Sequence, residues 1–397
     1  MASAPNRQGS PASPGPLAVW PTTREESWRY FPTRPLEHHA LDRPMGPVTL
    51  PPELAPVVAH ARLVLVNGAL VASTLPDGVT LDDVEPEPDE ATDGLTAANR
   101  THARPVGLRV ARDVASPLIE VLHVALGDGV AHARLSVRLE ARASLGLLQR
   151  FVGRGAYLVN AHLAARVGPD ARLDHVKILD EGAAAAHVER VAVEVDRDGR
   201  YHGFVLSLGG ARARTAPTVK LRAPGADAEV DGLYLGAGEQ VLDHTARIEH
   251  LAPHTGSRAT WAGVLDGRAT GTFQGNVTMA NDAVKARTRE LTRTLLLSPT
   301  AVANAKPELR IDVDDVEASH GASVGSLDPA QLFYLAARGV APDDARRMLI
   351  GAFVAETVAL APPRLRAFVD EALASRVLRA VDPGDVGDDG GGDDAAL

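Results

Sequence analysis

The stretch AYLVNAHLAARV, residues 156–167, alternates apolar with polar or small side chains, and similar runs recur from about residue 105 to 317. Further examples are RLSVRLEAR (134–142), RLDHVKIL (172–179) and VERVAVEV (188–195). Alternation along the chain is typical of β-strands. Because Gly, Asp and Asn separate the runs, we predict a succession of short strands joined by tight turns.

Such strands are compatible with a sandwich, a barrel or a solenoid in which each coil stacks on the last. Aromatic residues make up only 4% of the chain, which leaves few large side chains to fill a sandwich core. Small residues are frequent at the corners. These observations favour a solenoid, but the sequence shows no strict repeat, so all three alternatives remain open.

Before the strand region, Thr23 and Glu26 have the spacing of a capping box, which predicts a short helix. The Asn67-Gly68 pair lies between alternating runs and predicts a β-hairpin. The acidic segment LDDVEPEPDEATDG (81–94) has no periodicity and is predicted to be a solvated loop.

After residue 326 the periodicity becomes helical. Asp328-Pro329 predicts a helix N-terminus, Gly339 predicts its end, and Pro342 begins a second predicted helix. The apolar residues predicted to share one face of that second helix are Ala345, Met348, Leu349, Ala352 and Phe353. A third helix follows, and we expect the three helices to form a compact domain with its own core.

The predicted domain order has five parts. These are a disordered N-terminus (1–21), an N-terminal helical region with the hairpin and the acidic loop (22–104), the strand region (105–325), a C-terminal helical domain (326–380) and an acidic disordered tail (381–397).

Composition excludes several classes of function. Asp plus Glu number 51 against 41 Lys plus Arg, and this acidity disfavours nucleic acid or an anionic membrane as the main partner. The absence of cysteine excludes disulfides, thiolate metal sites and a cysteine nucleophile. The sequence also lacks a signal-peptide pattern and any apolar run of about 18 residues, so we predict a cytoplasmic protein.

The segment ASHGASVG (318–325) holds the main candidate for chemistry. Ser323 occupies the nucleophile position of a G-x-S-x-G elbow, but in hydrolases with this elbow the base histidine follows the serine, and no histidine follows His320. His320 itself has only small neighbours, which would let a metal ion or a partner backbone approach. The alternative is a hydrogen-bonded interface histidine.

Two other patterns are less informative. His250 and His254 have helical spacing, but Pro253 between them would break a helix, so we predict a structural or interface role. The glycines of LDGRATGTFQG (265–275) do not form G-x-x-x-x-G-K-[ST], and this motif occurs nowhere in the chain. Any ATP hydrolysis would therefore come from another chain.

Three segments resemble the SufB/SufD family of iron–sulfur cluster assembly proteins. They are LDGRATGTFQGNVTM (265–279), LLLSPTAVANAKPELRIDVDDVEASHGASVGSLDPAQLFYLAARGV (295–340) and ARRMLIGAF (345–353). The stretch EESWRYFPTRPL (25–36) also resembles the N-terminal region of the family. Because a SufB role implies thiolate handling of sulfur, the absence of cysteine makes the SufD branch the better match.

The resemblance implies a mainly β fold, a right-handed parallel β-helix flanked by N- and C-terminal α-helical regions. It implies a non-catalytic subunit of an ATP-driven assembly complex that pairs with a SufB-like subunit through the β-helix ends. A SufC-like ATPase, which alone would bind ATP, would contact the C-terminal helical region. We expect no tightly bound cofactor on the lone chain, a transient iron–sulfur cluster at the SufB interface, and a possible homodimer without SufB.

The resemblance also implies site residues. His320 falls on the histidine of the SHGA motif of the family, which is implicated in building the nascent cluster, and is therefore the predicted metal-binding and cluster-binding residue. Ala318 stands where some relatives carry cysteine, so this motif supplies no thiol. The predicted partner-interface residues are Phe333, Tyr334, Arg338, Met348 and Phe353. Apart from Arg338, we interpret these residues as helical core with an exposed fraction available to a partner.

A second hypothesis is a carbohydrate-active β-helix enzyme, either a lyase or a hydrolase. Such enzymes need converging carboxylates or a basic residue that abstracts a proton, together with aromatic platforms for sugars. The scarcity of aromatic residues and the lack of a secretion signal disfavour this hypothesis. Co-purification of an ATPase would support the assembly subunit, whereas polysaccharide cleavage by the lone chain would support the enzyme.

Overall fold

The computed structural model describes residues 20–46, 48–58, 61–82, 93–115 and 117–377. Most of the predicted disordered N-terminus, the middle of the acidic loop and the whole predicted acidic tail lie outside the described residues.

The described chain is mainly β, with short helical parts at both ends of the sequence. The strands in chain order are β1 (Arg62–Val66), β2 (Ala69–Thr74), β3 (Val79–Asp82), β4 (Arg104–Val110), β5 (Leu118–Leu126), β6 (Gly129–Leu139), β7 (Ser144–Arg154), β8 (Tyr157–Val167), β9 (Arg172–Glu181), β10 (Ala186–Val195), β11 (Arg200–Ser207), β12 (Arg212–Leu221), β13 (Asp227–Gly236), β14 (Val241–His250), β15 (Gly256–Leu265), β16 (Thr270–Met279), β17 (Arg287–Leu296), β18 (Val302–Ile311) and β19 (Glu317–Gly325). The α-helices are α1 (Gly94–His102), α2 (Pro329–Ala336), α3 (Pro342–Val358) and α4 (Arg366–Val377).

The strands form two sheets whose orders define a solenoid. One is the 10-stranded sheet β19-β17-β15-β13-β11-β9-β7-β5-β1-β2, and the other is the 9-stranded sheet β18-β16-β14-β12-β10-β8-β6-β4-β3. From β4 to β17, each strand pairs in parallel with the strand two positions later. Each coil therefore contributes one strand to each sheet. The predicted parallel β-helix is confirmed, and the sandwich and barrel alternatives are wrong.

In-register stacking fills the interior of the solenoid, which we call the lumen. One continuous row in the second sheet consists of Val137, Ala165, Val193, Val219, Ile248 and Val277. All six side chains are buried. Because burying one valine or isoleucine side chain contributes about 1.5–3 kcal/mol, such rows hold each coil on the next.

The hairpin predicted at Asn67-Gly68 is confirmed. Asn67 has φ 51° and Gly68 has φ 84°, and positive φ at both turn positions is the type I′ geometry that suits antiparallel β1 and β2. A Cβ atom on Gly68 would overlap the backbone oxygen of His132, so the turn fits only glycine there. Since β1 also pairs in parallel with β5, the hairpin extends the first sheet of the solenoid.

The predicted capping box is wrong by one residue. Thr23 and Glu26 do not form it; instead, Oε1 of Glu25 accepts a hydrogen bond from the backbone N–H of Thr22 at 2.8 Å. The helix that follows is a single 3₁₀ turn. The 3₁₀ turns of the described N-terminal region are Glu26–Trp28, Arg34–Leu36 and Pro52–Leu54.

Helix α1 was not predicted, because it follows directly on the acidic segment. Its N-terminus is capped by Asp93, whose Oδ1 accepts from the backbone N–H of Thr96 at 2.9 Å. The amide of Asn99 donates to the carbonyls of Ala133 at 3.0 Å and Asn160 at 2.8 Å, which holds α1 against β6 and β8.

The C-terminal helices begin where the sequence predicts. Oδ1 of Asp328 caps α2 by accepting from Ala330 N–H at 2.8 Å, Gly339 follows α2 with φ 83°, and Pro342 begins α3. No helix in the described ranges combines the length and apolar character that crossing a membrane requires.

The predicted buried face of α3 is largely wrong. Its buried residues are Ala345, Ile350, Val354, Thr357 and Val358. Of the predicted face only Ala345 is fully buried, and Met348 is 54% exposed. Apolar residues lie on two sides of this helix. The side that packs on the outer surface of the first sheet is the one with Ile350, Val354 and Val358, which are spaced four residues apart.

The predicted separate core of the C-terminal helices is also wrong. Ile350 and Val354 of α3, and Leu365, Val369 and Leu373 in and before α4, belong to the same buried apolar cluster as the lumen residues. Helices α3 and α4 therefore pack on the outer face of the first sheet, α3 on β13 and β15 and α4 on β9, whereas α2 packs on α3.

Candidate functional site at the end of the solenoid

The segment ASHGASVG forms most of β19, which with β18 makes the last coil. In the described chain each of these strands has a sheet partner on one side only, β17 for β19 and β16 for β18. The other edge of both strands therefore presents unpaired backbone groups. This end of the solenoid is open for contact with another chain.

His320 lies at the mouth of the lumen. It pairs in register with Glu290 of β17, so the two side chains are on the same face of the first sheet. On β17 that face is the buried one, because Thr288, Glu290 and Thr292 are buried. The face continues on β19 without a further coil to cover it, and His320 is exposed. Its imidazole is therefore accessible from the open end.

Glu290 is a buried carboxylate directly behind His320. Its Oε1 has no hydrogen-bond partner among the described residues. A Cβ atom on Gly275 of β16 would overlap this carboxylate, so Glu290 reaches across the lumen to the opposite strand. Burial, and then the negative charge of Glu308, raise the pKa of Glu290 to about 7. Glu290 was not among the predicted site residues, because the alternation in β17 gives no sign that its polar face is the inner one.

The predicted partner-interface residues lie mostly on the surface. Phe333 is 76% exposed, and Tyr334 and Met348 are each 54% exposed, so their interpretation as helical core is wrong. The guanidinium of Arg338 stacks 3.5 Å from the centre of the Tyr334 ring. We call Phe333, Tyr334 and Met348 the C-terminal apolar surface. An exposed apolar group of this kind is typical of protein contact sites.

Phe353 differs from these residues because it is partly covered. The guanidinium of Arg293 on β17 lies 5.4 Å from the centre of its ring and also forms an ion pair with Glu356 at 2.7 Å. This cation–π contact ties α3 to the first sheet near the open end.

The serine-hydrolase pattern has no structural counterpart. Ser323 lies inside β19, whereas a nucleophile elbow requires a sharp turn between a strand and a helix. Ser323 and His320 are three residues apart in a strand and therefore point to opposite faces. They cannot act as a nucleophile and its base within this strand.

A charged cluster lies buried in the middle of the lumen, and the sequence did not reveal it. Lys177 of β9 forms an ion pair with Glu189 of β10. His187 lies between two carboxylates, with Nδ1 3.0 Å from Oε2 of Glu181 and Nε2 3.4 Å from Oε2 of Glu189. We call these four residues the lumen charge cluster. Their charges balance, which makes the burial of all four tolerable.

The pKa values in the lumen charge cluster reflect this pairing. Burial alone would lower the pKa of His187, but the carboxylates of Glu181 and Glu189 raise it to about 9. Burial alone would raise the pKa of Glu189, but Lys177 and His187 lower it to about 2. His187 and Glu189 are therefore both charged at neutral pH.

A group of potential metal ligands on the outside of the first sheet already has hydrogen-bond partners within the chain. Ligand atoms of His202, Glu229 and Asp231 lie within 4.8 Å of one another. However, Nη2 of Arg258 lies 2.6 Å from Glu229 and 2.7 Å from Asp231, and His202 Nε2 donates to the carbonyl of Leu360 at 2.8 Å. The bond from His202 to Leu360 holds the connection between α3 and α4 against the sheet.

His250 has a structural role within the chain, which is one of the two roles that the sequence predicts. It ends β14, is buried, and hydrogen-bonds Thr255 Oγ1 at 2.8 Å through Nδ1 and Ser257 Oγ at 2.9 Å through Nε2. His254 has φ 59° in the turn that follows, so the two histidines do not share a helix face.

Buried neutral histidines predict a loss of stability in mild acid. Burial lowers the pKa of His123, His175 and His244 to about 3, and that of His132 and His250 to about 4. Unfolding lets each take up a proton below pH about 6.5, so their contribution is full above that pH and falls as pH decreases. Between pH about 7.5 and 5.5, we expect each of these five histidines to lower the free energy of unfolding by about 1 kcal/mol, measured by urea unfolding. His187 offsets part of this loss, because its raised pKa acts in the opposite direction.

His244→Phe provides the control for this prediction. Neither ring nitrogen of His244 has a hydrogen-bond partner in the described ranges, and the ring stacks on Trp261 with the ring centres 4.7 Å apart. Phenylalanine should keep the packing and remove one titrating group, so the pH dependence should become shallower. An unchanged pH dependence would show that His244 is not held neutral by burial.

Comparison with known proteins shows similarity to proteins of iron–sulfur cluster assembly. Residues 123–353 match the family model described as SUF system FeS cluster assembly, SufBD core domain. Iron-sulfur cluster assembly protein SufD of Escherichia coli is 27% identical over 381 residues, which covers 91% of this chain and 88% of that protein. SufD of Bacillus subtilis is 36% identical over 172 residues, or 43% of this chain and 39% of that protein. Protein ABCI7, chloroplastic, of Arabidopsis thaliana is 34% identical over 241 residues, covering 59% of this chain and 50% of ABCI7, so the match spans half the length of that relative.

Proposed function

Because this chain belongs to the SufBD family of SUF-system iron–sulfur cluster assembly proteins, we propose that it is a SufD-type scaffold subunit that works in complex with SufB and SufC. The observation that carries this proposal is the position of His320, an accessible imidazole at the open end of a parallel β-helix. An imidazole can bind iron, and the unpaired strand edges beside it can pair with a second chain.

In this proposal the open end formed by β18 and β19 contacts SufB, and the nascent cluster forms at that contact next to His320. The same end also allows two copies of this chain to pair when SufB is absent. The lone chain holds no cofactor tightly, since its own motif supplies an imidazole but no thiolate. A cytoplasmic location remains a prediction from the sequence.

The C-terminal apolar surface is the proposed contact for the ATPase SufC, to which ATP binding and hydrolysis belong. The chain has no phosphate-binding loop with the required lysine, which fits a subunit that is not itself catalytic. Neither the exposed histidine nor the charge-balanced clusters favour carbohydrate chemistry, so the enzyme hypothesis gains no support.

Phe333→Asp tests the ATPase contact. Phe333 is 76% exposed, so the substitution should leave the melting temperature of the chain unchanged. If the residue anchors the ATPase, affinity measured by titration with purified SufC should fall at least about tenfold. Val71→Asp changes another exposed apolar residue, 51% exposed on β2 at the opposite end, and should have no effect. Undiminished SufC binding by Phe333→Asp would place the contact elsewhere.

A further inference from the structure

Glu290 and His320 occupy adjacent positions on neighbouring strands at the open end of the lumen. They are register partners on β17 and β19, and neighbouring strands lie about 4.8 Å apart. Side chains at paired positions of a parallel sheet stack on the same face. An ion bound by the Glu290 carboxylate inside the mouth of the lumen would therefore lie on the face of the sheet that also carries His320.

Glu290 lacks the partner that other buried carboxylates in this protein have. Glu120 binds Arg150 at 3.0 Å, and Glu189 binds Lys177. Glu290 is equally buried, yet no basic side chain is among the charges that act on it, and its Oε1 has no hydrogen-bond partner in the part of the chain that the structure describes. A buried carboxylate without a donor or a cation is costly.

Small, uncharged residues occupy the positions next to Glu290 on β17 and β15 and opposite it on β16. Its neighbours on the inner face are Thr288 and Thr292 on β17 and Ala259 on β15, and Gly275 faces it across the lumen. These side chains are small and carry no charge. On the terminal strand Ala318 and Ala322 flank His320, so the approach from the open end is also lined by small residues.

On the basis of the function proposed above, we propose that Glu290 is a second protein ligand for the ferrous ion that His320 receives as a substrate of cluster assembly. Imidazole and carboxylate oxygen are both suitable ligands for divalent iron. The cation would supply the positive charge that Glu290 lacks. Water or donors from the partner subunit would complete the coordination, because the open end leaves the other side of the ion uncovered.

Anaerobic titration of the full-length chain with ferrous iron, against a chromophoric chelator, tests this inference. Glu290→Gln keeps the size of the side chain and removes the charge, and it should weaken Fe²⁺ binding about tenfold or more, as His320→Ala should. Glu308→Gln is the matched control, because it removes a nearby exposed carboxylate and should bind iron like the parent protein. If Glu308→Gln weakened Fe²⁺ binding equally, the loss of affinity would reflect the loss of nearby negative charge and not of a ligand, and the inference would be overturned.

Gly275→Ala provides a second variant that retains both proposed ligands. The added methyl group would displace the Glu290 carboxylate, so iron binding should weaken while the melting temperature shows that the chain is still folded. Parental iron affinity in Glu290→Gln would overturn the inference and leave the proposed function standing. Conversely, weak iron binding by Glu290→Gln combined with normal cluster content in the SufB complex would keep Glu290 as a ligand and contradict the proposed role of this end in assembly.

Discussion

Replacing Lys177 by methionine is expected to destabilise the protein by about 3–5 kcal/mol, because it leaves the carboxylate of Glu189 buried without its ammonium partner. Both side chains are only 1% exposed, so water cannot compensate for the lost ion pair. His187 remains near Glu189, but it also serves Glu181. The change should appear as a lower midpoint of urea unfolding at neutral pH.

Two further variants separate the ion pair from general packing. Lys177→Met combined with Glu189→Gln removes both charges and should recover most of the lost stability, since the unpaired charge causes the loss. Arg268→Met breaks an ion pair with Glu239 whose side chains are 70% and 73% exposed, and it should leave the midpoint unchanged. A double variant no more stable than Lys177→Met would show that lost packing, not the buried charge, dominates.

Local patterns made much of the fold predictable. Alternation identified the strands, Asn67-Gly68 the hairpin, and Asp328 with Gly339 the ends of α2. These features depend on residues close in sequence, whose conformational preferences act within a single turn or strand. The stacking of coils depends on long-range pairing that has no strict period in the sequence. The resemblance to a known family, not the pattern alone, therefore decided between solenoid and sandwich.

The lumen was the least predictable part of the molecule. Thr288, Glu290 and Thr292 alternate with arginine and leucine, and such a polar face is ordinarily exposed to water. In this solenoid the lumen covers one face of a strand, and helices and N-terminal segments cover parts of the other. Alternation consequently does not reveal which face is inside, and Lys177 and Glu189 were hidden for the same reason. The identity of His320 as a candidate came from its motif, and only the structure placed Glu290 behind it.

His320→Ala is expected to have the largest effect on function. Because His320 is exposed on the terminal strand, its loss should leave the melting temperature and the assembly of the complex nearly unchanged. If its imidazole binds iron during assembly, the cluster content should nevertheless fall at least about tenfold. His320→Asn keeps a hydrogen-bonding group but has no basic nitrogen for a metal, so it should fail as badly as alanine.

The most direct measurement is the iron and sulfide content of the proposed complex of this chain with SufB and SufC, purified anaerobically with His, Asn or Ala at position 320. We predict cluster in the His320 complex, and strongly reduced iron and sulfide with both Asn and Ala at equal subunit content. Normal cluster content with Asn would show that His320 acts through a hydrogen bond and not through a metal bond. Normal cluster content with Ala would contradict the assignment of this end of the solenoid as the assembly site.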